Sequence, residues 1–360
     1  MRNNGINVGG NLIVNGGEVT NTVMTGQRED RRSRVDVLVI TALKEEFDAV
    51  KATAGFSHWR QHDAGGDTPY VSAKFRSGTS GSISVALARP IGQSGRHTGP
   101  IATTLTNKLQ PTCLAMCGVC AGNPGATAPG DVIVASPAYE WDEGKHAGGD
   151  FRADHQQFPQ DHRWLRAVQD FDPSGLPSHG VASEVEATLW LLERLLKGQD
   201  PRTHPARQRY FPPSTWATRL ERLQFDGLIE RHDAGWALTH AGRVHIQRTL
   251  YDTVDGPDKL PFVVLAGPMA SGSSVMADSR IWTWLEASQR KLLALEMEAA
   301  TIATVAHQLR VPHWLVVKGV MDHADLDKDD RFKAFGARAS AEVLLALLST
   351  LLPSGLRSHV

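Results

Sequence analysis

Leu292-Leu293-Ala294-Leu295-Glu296-Met297-Glu298-Ala299-Ala300, continued by Trp314-Leu315-Val316-Val317-Lys318-Gly319-Val320-Met321-Asp322-His323-Ala324-Asp325, is the segment from which the rest of this chain can be placed. Apolar positions 292, 293 and 295, then 299, 302, 303 and 306, recur at helical spacing, which predicts one amphipathic helix from Leu292 onward, packed on a core. Pro312 ends that pattern. The β-rich apolar run after it is short enough for a buried strand, and a strand that ends in Asp322 delivers a carboxylate at its carboxyl edge. Glu298 on the helix and Asp322 at the strand end are thereby brought together. Burying carboxylates beside apolar neighbours is costly, so a chain that does it twice invites a chemical explanation. Read singly, each acid is also a helix cap or a turn aspartate.

Three further segments stand in order with this one. Val37-Leu38-Val39-Ile40-Thr41-Ala42-Leu43-Lys44-Glu45-Glu46 reads as an opening strand and an acidic turn. Cys117-Gly118-Val119-Cys120-Ala121-Gly122, then Pro129-Gly130-Asp131-Val132-Ile133-Val134, reads as a glycine-rich turn followed by a strand. Gly267-Pro268-Met269-Ala270-Ser271-Gly272 comes later. Together the four segments resemble the nucleoside phosphorylase/nucleosidase superfamily, above all its methylthioadenosine/S-adenosylhomocysteine nucleosidase branch. The resemblance covers residues 35 to about 172 and 260 to 350.

The formal charge of -1 and the 41% hydrophobic content describe a globular chain without a global pull toward nucleic acid or anionic membrane. No stretch reads as a spanning helix and the N-terminus lacks a signal pattern, so a cytoplasmic location and no membrane contact are expected. Cys113, Cys117 and Cys120 cluster in one predicted strand and turn, which fits buried, reduced thiols better than a metal site.

Residues 1–34 form a leader rich in Gly and Asn that ends in a charged linker. From Val35, strands 35–41, 69–89, 113–118 and 131–136 alternate with helices 44–53 and 99–109, which implies a mostly parallel sheet covered on both faces. Glycine at 118 and 122 is expected to let backbone amides approach a ligand. The first part of the core runs over 35–182 and the second over 260–360. Between them, 183–259 departs from the family pattern. Ser183-Glu184-Val185-Glu186 is a capping box, and helix, helix, the turn Asp233-Ala234-Gly235 between two strands, and a last helix look like a winged-helix module. The expected fold is therefore α/β, a three-layer nucleoside phosphorylase-like core with an inserted winged-helix-like module. A winged helix raises nucleic acid, and residues 201–250 hold eight Arg against four Asp/Glu. Its presumed recognition helix offers only Arg219 and Arg222 beside Glu221, so a protein partner, through this module or the leader, ranks above DNA.

What the resemblance implies for chemistry is N-ribosidic cleavage of a purine nucleoside or nucleotide with no metal or organic cofactor. Asp322 matches the acid that protonates purine N7, Glu298 the carboxylate that grips the ribose hydroxyls, and Glu46 the base that orients and deprotonates water. Desolvation against Val320, Met321 and the base favours a proton on Asp322. Met297 is expected beneath the ribose, Val275 and Met276 at the purine, Cys120, Ala121 and Gly122 along the glycine-rich turn, and Glu296 behind the reacting groups. Asp325, with Lys318 or Lys328, is expected to brace the Asp322 turn. Phosphorylases of the superfamily carry Arg-x-Gly-Ser where this chain reads Met116-Cys117-Gly118-Val119, which favours water as nucleophile, with a phosphorylase as the alternative. Arg89, Arg96 and His97, with Lys145 and His146, are candidate anion contacts. The Gly-Pro-Met-Ala-Ser-Gly and Lys-Gly-Val-Met-Asp-His-Ala-Asp forms look closer to the phosphorylase-like domains of bacterial immune proteins, some of which cleave adenine from ATP. That implies an adenine nucleotide substrate and antiphage defence, against a housekeeping nucleosidase. A DNA-binding regulator with a nucleoside-sensing core is the alternative of another class. A homo-oligomer, with the apolar helix 341–352 at the contact, completes the expectations.

Overall fold

In the computed structural model, which describes residues 34–352 apart from 64–67, 78–80, 149, 234 and 327–329, the apolar runs become strands buried on both faces. The leader expected over 1–34 lies, except for Arg34, outside the described residues. The first half comprises β1 (Val37–Ile40), α1 (Lys44–Ala52), β2 (Arg60–Asp63), β3 (Pro69–Ser77), β4 (Gly81–Ala88), α2 (Gly95–Leu109), β5 (Cys113–Gly122), β6 (Val132–Glu140), the hairpin β7 (Gly144–Ala147) and β8 (Asp150–Ala153), and α3 (His162–Gln169). Next come α4 (Glu184–Leu196), α5 (Arg207–Tyr210), α6 (Trp216–Phe225), β9 (Ile229–His232), β10 (Gly235–Leu238) and α7 (His240–Asp252). The chain closes with β11 (Val264–Ser271), α8 (Arg280–Glu286), β12 (Ala294–Glu296), α9 (Ala299–Gln308), β13 (His313–Asp322) and α10 (Lys333–Leu351).

The main sheet runs β12-β11-β6-β13-β5-β1-β4-β3-β2. Its centre is parallel where β1 lies between β4 and β5 and where β5 pairs β13, and antiparallel between β13 and β6. Alternate residues of each central strand serve opposite layers, as the two-residue strand period requires. Val37, Val39, Cys113, Ala115, Leu315 and Val317 pack with α10, whereas Leu38, Ile40, Leu114, Met116 and Val316 pack with α2 and α9. Each fully buried aliphatic side chain contributes about 1.5–3 kcal/mol. Close contact of α10 with the sheet depends on Gly319 and Gly336, since a side chain at Gly319 would collide with the Gly336 backbone.

The structure departs from the expected helix at Leu292. Leu292 and Leu293 lie in a loop and Ala294 and Leu295 in β12, which pairs in parallel with β11 and also antiparallel with β5, Leu295 opposite Ala121, and α9 begins only at Ala299. Strand pairing on two sides outweighs a helical spacing of leucines, and the Glu296 carboxylate accepts from the Glu298 and Ala299 amides, capping α9 where it starts. The helix expected at an oligomer contact is likewise placed elsewhere. α10 is long and apolar enough to cross a bilayer, yet Val343, Leu344 and Leu348 lie in the core.

Residues 183–252 hold two helices, a hairpin and a last helix in the order read from the sequence, with a further short helix, α5, between the first two. Ser183 Oγ accepts from the Glu186 amide (3.2 Å), but Glu186 does not complete the box; its carboxylate pairs with Arg331. Arg219 pairs with Glu184 and lies over the Phe211 ring, so the presumed recognition helix turns this cation inward. Arg209 of α5 donates to Asp131, a fully buried carboxylate that also accepts from the Ala128 (2.8 Å) and Val263 (3.0 Å) amides. The inserted helices thus supply counter-ions to the sheet.

Because Asp131 stays buried whatever faces it, Arg209→Met is expected to cost about 3 kcal/mol by leaving that carboxylate without its cation. Urea unfolding measures it, and the double variant Arg209→Met/Asp131→Asn is expected to recover part of the loss. Coincident unfolding midpoints for the single variant and the parent would show the pair to be dispensable.

Candidate active site

The carboxyl ends of β5, β12 and β13, the start of α1 and the loop before α2 converge on a cavity of about 300 Å³, a size suited to a small molecule. Glu46, Glu298 and Asp322 all line it.

Glu46 lies in the first turn of α1 and bends back on itself. Oε2 accepts from the Ala42 and Leu43 amides (2.8 and 2.9 Å), and Oε1 accepts from the Val119 amide (2.9 Å). A side chain at Gly118 would collide with this carboxylate, so Gly118 makes room for Glu46. Gly122 does not line the cavity: its missing side chain makes room for Thr127 and Val320. Both glycines therefore permit protein packing, where ligand approach was expected.

Glu298 is the residue just before α9. Its Oε1 accepts from the Ser94 amide (2.8 Å) and its Oε2 from Lys318 Nζ (3.2 Å). Ser94 reaches that position with φ of 87°, a conformation unusual for a residue with a side chain and costing on the order of 1–3 kcal/mol. Burial raises the Glu298 pKa, with Lys318 pulling the other way. Lys318, 1% exposed, also pairs with Glu296 Oε2 at 3.1 Å. Burial opposes its charge, but Glu296 and Glu298 outweigh that and raise its pKa. Glu296 is further held by Ser271 Oγ (2.6 Å), which in turn accepts from the Ala300 amide (2.9 Å). The Gly267–Gly272 segment thus supports the site from behind, and the residues after it, Ser274, Val275 and Met276, line the cavity.

Asp322 ends β13, 7% exposed, and its Oδ1 accepts from the Ala324 amide (2.7 Å). Cys120, Ala121, Glu296 and Met297 also line the cavity; Val275 is 60% exposed at its edge. Arg89, Arg96 and His97 are exposed and lie outside the lining, although Gln93 of the same loop belongs to it. Lys145 is exposed on β7; Lys328 and the His146 side chain are outside what is described. Asp325 pairs with Lys197, so Lys318 does not brace the turn. The thiols of Cys113, Cys117 and Cys120 are unpaired, and burial pushes all three pKa values up.

Sequence reasoning missed Ser94, Lys333 and the true role of Lys318. Only Lys318 carried a signal, a cation in the middle of a buried apolar strand. Ser94 acts through its amide, which any residue type has, and Lys333 enters the lining from the start of α10.

The family model of the phosphorylase superfamily matches residues 224–352. An uncharacterized protein of Sinorhizobium fredii, y4jS, is 24% identical over 89% of this chain and 63% of its own length. The 5'-methylthioadenosine/S-adenosylhomocysteine nucleosidase of Geobacillus kaustophilus is 30% identical over 36% of this chain and 51% of its own length. The chain thus spans less than two thirds of either relative. Among solved structures, a 5'-methylthioadenosine/S-adenosylhomocysteine nucleosidase from Neisseria meningitidis, in complex with methylthio-immucillin-A, matches with a TM-score of 0.53 and 15% identity over 88% of this chain and 99% of that one. Futalosine hydrolase of Helicobacter pylori matches with a TM-score of 0.52 and 16% identity over 88% of this chain and 97% of that one. At these identities the likeness establishes the fold.

Lys318→Met is expected to cost about 3–5 kcal/mol at neutral pH, because it strands two buried carboxylates. A carboxyl whose folded pKa lies above its unfolded value, about 4.3 for Glu, contributes stability that is full below the unfolded value and lost as pH rises through the folded one. Removing Lys318 raises the Glu298 pKa further, so the deficit is expected to be largest at neutral pH and smallest near about pH 4. Thermal unfolding across that range measures it; a deficit independent of pH would break the assignment.

Proposed function

We propose, from the premise that the chain belongs to the nucleoside phosphorylase superfamily, that it hydrolyses the N-glycosidic bond of purine nucleosides and releases the free base. The observation that carries this is the meeting of Glu46, Glu298 and Asp322 around one cavity. Cleavage sends the bond electrons to the base and leaves positive charge on the ribose. Asp322 gives a proton to the departing base, Glu298 faces the cationic sugar, and Glu46 takes the proton of the water that attacks the anomeric carbon. Met297 and Met276 supply apolar contact to the sugar and the purine.

Water is preferred over phosphate because the Val119 amide in β5, at the position where a phosphorylase would hold its anion, already donates to Glu46. A phosphate there would meet a carboxylate. Charge also bears on the substrate. The described lining holds Glu46, Glu296, Glu298, Asp322 and Asp330 against Lys318 and Lys333, and Lys318 is committed to two of those acids. An acidic lining favours a neutral nucleoside. An adenine nucleotide such as ATP, and with it a role in antiphage defence, would lean on Arg89, Arg96 and His97, which stand outside the lining.

Chromatography of the protein incubated with methylthioadenosine, adenosine, AMP and ATP is expected to show free adenine from the nucleosides without added phosphate. Adenine from ATP alone would replace the nucleoside with the nucleotide, and strict dependence on phosphate would replace hydrolysis with phosphorolysis. In the active protein, Asp322→Asn is expected to abolish base release while substrate still binds, because the amide lacks the acidic proton. Glu298→Gln is expected to lower kcat roughly 100-fold, about 3 kcal/mol, by analogy with removal of a group aimed at transition-state charge. A change confined to KM would assign Glu298 to uniform binding.

A further inference from the structure

The chain that follows Asp322 is tied to the inserted helices at two points, Asp325 and Arg331. Asp322, His323, Ala324 and Asp325 form a turn in which Ala324 adopts φ of 55°, a left-handed conformation that a residue with a side chain keeps only when its surroundings hold it. Two anchors come from the rest of the sheet and its helices. His323 Nδ1 donates to the Gly122 carbonyl (2.7 Å), and Trp282 Nε1 donates to the His323 carbonyl (2.8 Å). Burial, aided by Arg194 of α4, pushes the His323 pKa down, so the ring is neutral and Nδ1 keeps the proton that it donates.

The other anchors come from the inserted segment. Lys197, at the C-terminus of α4, pairs with Asp325. Glu186, in the first turn of the same helix, accepts from Arg331 Nη1 (3.0 Å), and Arg331 Nε donates to the Thr253 carbonyl and hydroxyl just past α7 (3.0 Å each). Glu186 and Lys197 stand about 16 Å apart along α4. One rigid helix therefore holds residues 325 and 331, and the residues beside these points, Ala324, Asp330 and Lys333, line the cavity.

We propose that Lys197 and Arg331 are positioning residues, through which the inserted helices α4 and α7 set the turn that aims Asp322 into the cavity. The catalytic part of this rests on Asp322 acting as the acid; the mechanical part does not. Lys197 acts through Asp325 and touches no reacting atom. Displacing α4 displaces the acid, so the insertion is the handle by which turnover can be set from outside the cavity.

The experiment is hydrogen exchange at the Ala324 amide, which donates to Asp322, together with steady-state kinetics on Lys197→Met, Lys197→Arg and Glu186→Gln. The Lys197–Asp325 pair is partly solvated, so Lys197→Met is expected to remain folded. Its Ala324 amide is expected to exchange about tenfold faster, and kcat to fall about tenfold with KM within about twofold, since misplacing a reacting group acts on the chemical step. Lys197→Arg is expected to restore both, and Glu186→Gln to reproduce the Lys197→Met effects from the other end. Unchanged exchange in Lys197→Met overturns the proposal. Faster exchange with undiminished kcat overturns its catalytic part. A parent protein that releases no base from any purine nucleoside refutes the proposed activity, and the exchange measurement then decides the mechanical part alone.

Discussion

A single buried ammonium holds the centre of this molecule. Lys318 lies in the middle of β13, and its Nζ contacts Glu296 and Glu298, two carboxylates that follow each other at the start of α9. Two acids so placed would repel one another out of reach of water, and a helix N-terminus alone offsets such repulsion by only about 0.3–1 kcal/mol in exposed settings. With the cation between them, Glu296 can cap α9 and Glu298 can turn toward the cavity. The arrangement also fixes the sheet, because the strand that brings Glu296 pairs with both β11 and β5, and the strand that brings Lys318 lies between β5 and β6.

The same economy of space governs the opposite wall. Glu46 reaches the Val119 amide only because residue 118 has no side chain. Three backbone donors then hold that carboxylate in one orientation, so it is positioned by main chain alone. Ser94 does the equivalent for Glu298 at the cost of an unfavourable φ. Strain at one residue, repaid by packing elsewhere, is what a functional site shows when geometry matters more than local comfort. The three candidate carboxylates thus sit on strand ends and helix starts, the kind of placement that needs little reorganisation during a reaction.

Much of this was legible in the residues. The central strands declared themselves as apolar runs because they are buried on both faces, and Glu46, Glu298 and Asp322 stood out as acids at element ends. The start of α9 was misread because Leu292, Leu293 and Leu295 satisfy a helical spacing equally well, and only the two neighbouring strands decide against it. The partners of Asp325 and Arg331 were out of reach for a different reason. Lys197 and Glu186 are more than a hundred positions away in sequence, and local pattern says nothing about such pairs. Arg89, Arg96 and His97 show the converse: polar side chains near a strand end read as a ligand site, yet long side chains at a loop are as free to face water as the cavity, and these three lie outside its lining.

The inserted helices change what kind of object the core is. A module appended only for recognition would meet the core through a linker and a thin interface. Here α4, α5 and α7 contribute to the same hydrophobic cluster as the sheet, and their Arg209, Glu186 and Lys197 neutralise Asp131, Arg331 and Asp325. Excising residues 183–259 would expose that cluster and leave Asp131, Arg331 and Asp325 without these counter-ions. Arg219 of the presumed recognition helix is paired with Glu184 and lies over Phe211. The insertion is built inward, and two of its ion pairs, to Asp325 and Arg331, lie just after Asp322 in the chain.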